Sequence, residues 1–130
     1  MKDIENRTDI ILLVDRFYSK VQDNQTIGPI FTQVAQVDWS HHLPKMYDFW
    51  ESILFGKAIY KGNPMLTHFS LNQQAPLKEE EFKTWKMIFF NTVDELFAGA
   101  NAETIKQKAQ SIADLMHFKI NSPQSKINII

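Results

Sequence analysis

At 130 residues and 15.2 kDa, with a formal charge of −1 and no cysteine, the chain has the size of one domain that buries roughly two-thirds of the surface of its unfolded state. The charge leaves no basic cluster to neutralise a run of phosphates, so nucleic acid binding has little electrostatic support and no such partner is expected. Without cysteine, there is no disulfide scaffold, thiolate-ligated zinc, iron–sulfur cluster or thioether-attached haem.

No apolar run approaches the roughly 20 residues needed to span a bilayer, so no membrane segment is expected. The start, Met1 to Arg7, is polar and lacks the apolar core of an export signal, which makes the cytoplasm the expected location. Ten phenylalanines, three tyrosines and three tryptophans are a heavy aromatic allotment for this length. They can fill a core or line a flat apolar ligand.

Apolar residues recur at helical spacing, and no segment alternates long enough for a half-buried strand, so the expected fold class is all-α. Thr8 is the expected N-cap of a first helix with Ile10, Leu13, Val14, Phe17, Tyr18 and Val21 inside, ended by a turn at Thr26 to Pro29. Ile30 to Val34 is expected to form a short helical turn. The next long helix starts between Asp38 and Leu43, carries Leu43, Met46, Tyr47, Phe49, Trp50, Ile53 and Leu54 on one face, and stops at Gly56 in a left-handed cap. Pro44 is expected in its first turn, where it costs no hydrogen bond.

Gly62, Asn63, Pro64 and the polar stretch Asn72 to Gln74 leave room only for a short helix around His68. A long helix from about Leu77 follows, with Phe82, Trp85, Phe89, Val93 and Leu96 inward. Another starts near Ala102, with Ile105, Ala109, Ile112 and Met116 inward; Gly99 separates the two and Asn101 is the expected cap. Residues 1–120 are expected to form the domain and 121–130 a fraying tail.

The histidines sort by face. Steps of four, three and four from His42 reach Met46, Phe49 and Ile53, all apolar, whereas the same steps from His41 reach Lys45, Asp48 and Ser52. His42 therefore points inward and His41 outward. His117 is expected at the surface near a helix C-terminus. Inward-facing Tyr18, His42 and Trp85 bring polar tips into an aromatic interior, which is costly unless something there accepts their hydrogen bonds. His68, among Met65, Leu66, Phe69 and Leu71, is suited to ligate iron. Each also has a plainer reading, a core side chain satisfied by a neighbouring backbone group. Zinc is a weaker rival, since there is neither cysteine nor a His-x-x-x-His pair. Glu79, Glu80 and Glu81 read as a solvated first turn at a helix N-terminus.

In order, Phe17 Tyr18 Ser19 Lys20 Val21, Ile27 to Phe31, Asp38 Trp39 with His42, Phe49 Trp50, Tyr60 to Pro64 with His68, Phe82 to Trp85 and Thr92 to Glu95 resemble the group III truncated haemoglobins over residues 10 to 118. The resemblance implies a truncated globin fold, two helices crossed over two others around haem b (iron protoporphyrin IX). It implies His68 as proximal iron ligand, Tyr18, His42 and Trp85 as the distal pocket, and Phe31 packing on the porphyrin. Phe49 belongs to the same expected lining, and Lys57 and Lys61 are candidates for the propionates. The expected activity is reversible binding of dioxygen and other diatomic ligands. The alternatives are a haem enzyme detoxifying nitric oxide or peroxide with an external reductase, and a cofactor-free helical interaction domain.

Overall fold

The structure is a computed structural model that describes residues 1–34, 38–57 and 78–121. The expected short helix around His68, Lys61 and the tail at 122–130 lie outside the described residues. Those described form four long helices: α1 (Arg7–Asp23), α2 (Trp39–Phe55), α3 (Glu79–Leu96) and α4 (Ala100–Asn121), with a π-helical segment at Ile30–Val34 between the first two. No strand occurs among them. α1 packs on α2, and α3 on α4; α1 also lies on α3, and α2 reaches α4, so one pair is laid over the other.

The inward stripe of α1 is as its spacing requires: Ile10, Leu13, Val14 and Val21 have no exposure and Phe17 only 1%. Its counterpart on α3 is Phe89 and Val93, both fully buried. Phe17 and Phe89 meet edge to face, with centroids 5.2 Å apart. Each such side chain contributes about 1.5–3 kcal/mol by leaving water. Thr92, also fully buried, donates its hydroxyl to the Ile88 carbonyl at 2.7 Å, so its burial costs little.

The helix ends depart from the sequence reading in instructive ways. Asn6, not Thr8, caps α1: its side chain accepts the Asp9 amide at 3.1 Å. The turn after α1 is held by Asn24, whose Oδ1 accepts the amides of Thr26 and Ile27 at 2.8 and 3.0 Å. Gly28 completes the turn: its amide donates to the Asn24 carbonyl at 2.9 Å, and a Cβ there would lie 2.8 Å from the Gln22 carbonyl oxygen. Asp38 caps α2, accepting the Ser40 amide at 3.1 Å, and places Pro44 beyond the first turn rather than within it. Pro44 and Ser40 are both exposed, so water can take the hydrogen bond that the Ser40 carbonyl loses to the proline. Gly56 closes α2 with φ 70°, the left-handed cap its position implied.

The largest departure concerns α4. It begins at Ala100, so Asn101 lies inside it and is not its cap. That role falls to Asp3, whose carboxylate accepts the amides of Asn101 at 2.9 Å and Ala102 at 2.8 Å. Asn101 in turn donates its side-chain amide to the Ile4 carbonyl at 2.7 Å, and the Ala98 amide donates to Lys2 at 3.0 Å. Ile4 is fully buried, so the nominally polar start of the chain is an integral wall of the domain. Gly99, with φ 143°, is what permits this approach: a Cβ there would lie 2.5 Å from the Asp3 carboxyl carbon.

Candidate functional site

Tyr18 and His42 come together although they lie on different helices. Tyr18 sits on the inward face of α1 and is 5% exposed. The Asp38 cap fixes the first turn of α2 by accepting the His41 and His42 amides at its carbonyl, at 3.1 and 2.9 Å. That turn carries His42 inward, with its Nε2 buried, and leaves the His41 side chain 81% exposed, 3.7 Å from Asp38. The Tyr18 and His42 rings meet edge to face at 5.1 Å.

Around this pair the walls are aromatic. Phe31, on the π-helical segment, lies 6.1 Å from Tyr18. Phe17 lies 4.8 Å from Tyr18 on one side and 5.6 Å from Trp85 on the other. Trp85 therefore joins the cluster through Phe17, and it stacks on Phe89 at 5.5 Å with planes 12° apart. Phe89 continues the stack to Trp50 at 4.8 Å, and Phe49 stands on Trp50 at 5.0 Å. Tyr18, His42, Trp85, Phe31 and Phe49 thus share one aromatic interior. His68 and Lys61 lie outside the described residues.

Trp39 belongs to this site, and the site set read from the sequence lacks it. Its ring is 5.4 Å from Tyr18, 5.6 Å from His42, and stacked on Phe31 at 6.2 Å. The signal was present: Trp39 precedes His42 by three residues, which puts both on one face of the helix.

Lys57 is engaged elsewhere, its Nζ 3.2 Å from Glu51. Glu51 is buried and also accepts Arg7 at 2.6 Å, and Arg7 reaches Asp48 at 2.9 Å. The Arg7 hydrogen bond is the main reason the Glu51 carboxyl is held below its ordinary range; burial opposes this and Lys57 assists it. Near this cluster Tyr47 donates its hydroxyl to Asp15, and burial together with that carboxylate pushes the phenol up to about 12, so it stays protonated. His117 is half-buried rather than on the surface, because its ring stacks on Phe82 at 5.0 Å. Glu79 and Glu80 are solvated, while Glu81 turns back to accept the Lys78 amide at 3.0 Å.

Among the described residues there is no group of three or more histidine, cysteine or acidic side chains placed to hold a metal ion. No described helix is long and apolar enough to cross a membrane.

The described helices form two packed pairs, one over the other, around an aromatic interior into which Tyr18 and His42 turn. The sequence model of the bacterial-like globins matches residues 3–121, and the chain belongs to that family. Within it, the chain is 31% identical over 117 residues, 88% of each chain, to the group 3 truncated hemoglobin ctb of Campylobacter jejuni. The crystal structure of a group III truncated hemoglobin from Campylobacter jejuni matches 94% of this chain and 97% of its own, with a TM-score of 0.81 and 28% identity. The fold is accordingly the truncated globin fold, and the group III resemblance read from the motifs holds.

Proposed function

We propose that this protein binds haem b and, at its iron, dioxygen and other diatomic ligands. In this reading His68 is the proximal nitrogen ligand and Tyr18, His42 and Trp85 are the hydrogen-bonding groups of the ligand pocket. The observation that carries it is the meeting of Tyr18 and His42 inside an aromatic shell, 5.1 Å ring to ring. The donor chemistry fits the group: a flat apolar ring is matched by Phe31, Phe49 and Trp85, and a polar ligand by one phenol, one imidazole and one indole N–H. With no cysteine in the chain, attachment is non-covalent.

When bound, haem supplies an iron atom that accepts one imidazole and one small ligand. The protein's own part is to orient and to exclude water. Tyr18 is nearly sealed from solvent at 5% exposure, so its hydroxyl does not exchange a ligand's hydrogen bond for one to bulk water. A hydrogen bond to a partner with charged character contributes about 1.5–3 kcal/mol, or about ten- to hundred-fold in release rate per effective donor. Several donors make release slow, which suits sequestration or chemistry on a diatomic ligand better than bulk transport. Lys57, tied to Glu51, is left as a propionate partner only by exchanging that ion pair.

Absorption spectra of the purified protein in ferric, ferrous and carbon monoxide forms test this directly. A Soret band is expected, and His68→Ala should abolish or greatly weaken it. An unaltered band in that variant would show that another residue holds the iron.

A further inference from the structure

The geometry points to Trp39 as the residue that sets the size of ligand admitted to the Tyr18–His42 site, an inference that rests on the ligand-binding function proposed above. Tyr18 is 5% exposed, yet three of the rings around it, Phe31, Trp39 and His42, are only half-buried. Among the described residues, those three are the partly exposed rings packed against Tyr18. Trp39 touches both of the others as well as Tyr18, at 6.2, 5.6 and 5.4 Å. Among the described residues it is the ring that contacts Tyr18, Phe31 and His42 together.

Its placement suits the role. Trp39 is the first residue of α2, half-buried between exposed Asp38 and Ser40. The helix start beneath it is capped: Asp38 accepts the Ser40 amide at 3.1 Å and the Ser40 hydroxyl at 2.7 Å. Access then depends on side-chain rotation of the indole, not on unwinding of the helix. A small linear ligand needs only a narrow gap between the indole and the imidazole. A ligand with an alkyl tail must displace the indole from its stack on Phe31 and from its contact with Tyr18, which costs packing that a diatomic molecule does not disturb. His42, by contrast, is a polar group of the pocket itself, and the wall that rejects bulk need not be the group that holds the ligand.

The test compares native protein with Trp39→Phe and Trp39→Ala, using association of methyl isocyanide and n-butyl isocyanide with the ferrous form. Discrimination per methylene in a closed apolar site runs at about ten-fold or more, so the native methyl-to-butyl rate ratio should exceed that and fall towards one in Trp39→Ala, with Trp39→Phe between. A second readout needs no iron ligand: carbethoxylation of His42 by diethylpyrocarbonate, located by tandem mass spectrometry against exposed His41, should rise several-fold in Trp39→Ala. Trp39→Phe, which retains a ring, gives the answer if the alanine variant fails to fold. An unchanged isocyanide ratio or an unchanged His42 reactivity in a folded variant with a normal Soret band overturns the role of Trp39 alone. Absence of a Soret band from the native protein overturns the haem reading, and the inference falls with it.

Discussion

Replacing Asp3 by alanine tests whether the start of the chain holds its last helix. The Asp3 carboxylate accepts three amides: Asn101 at 2.9 Å, Ala102 at 2.8 Å and Ile4 at 2.8 Å. Loss of an N-cap costs about 1 kcal/mol and up to about 2, and loss of a negative charge at a helix N-terminus adds about 0.3–1. A destabilisation of about 2 kcal/mol is therefore expected. With an unfolding entropy of roughly 2.1 cal/mol/K per residue, that corresponds to a fall in Tm of about 7 °C for a domain of this length. Urea denaturation of both proteins at pH 7 and matched haem content measures it. The pH dependence gives a second handle. Burial opposes the charged form of Asp3, but the three amides outweigh it and hold the carboxyl below its ordinary value of 3.8. A carboxyl depressed on folding stabilises above its unfolded value, and that stability is lost as pH falls through the folded value. The gap between Asp3→Ala and the native protein should thus be constant at neutral pH and shrink below about pH 4. A variant within about 0.5 kcal/mol of native at pH 7 would refute the capping role.

Other expected outcomes follow from the same geometry. Tyr18→Phe should speed dioxygen dissociation about ten- to hundred-fold in stopped-flow displacement by carbon monoxide, and a change below about two-fold would remove the phenol from the ligand's hydrogen bonds. Phe89→Ala, which removes a fully buried ring in contact with Phe17, Trp50 and Trp85, should lower stability by about 3–5 kcal/mol in urea. Glu51→Ala leaves Arg7 with Asp48 alone and Lys57 facing solvent, so its cost should be about 2 kcal/mol, below the usual penalty for a fully buried pair. Because Arg7 depresses the Glu51 carboxyl on folding, that cost should also be present at neutral pH and fade on acidification, which urea midpoints from pH 7 to pH 4 will follow.

What the sequence made legible was whatever is periodic or local. The inward faces of α1 and α3, the Gly56 cap and the opposite directions of His41 and His42 all follow from the helical repeat, and the structure agrees at each. The N-terminal segment was not legible, because six residues carry no repeat and the partner of Asp3 lies 98 positions downstream. Pro44 misled for a related reason: proline preference favours a first turn, but Asp38 is the stronger start signal and its surroundings are wet enough to absorb the lost bond. In the site, Tyr18 and His42 were found from their faces alone. Trp39 stands in the motif with His42 but its largely apolar ring does not mark it as a site residue, although its spacing to His42 places it in the same wall.

The bond between Asp3 and the first turn of α4 has a topological meaning. It knots residue 3 to residues 101 and 102, turning nearly the whole domain into a closed circuit with the aromatic interior inside it. The circuit can shut only once residues 101 and 102 are in place, and fraying at residue 3 uncaps α4 at the same moment.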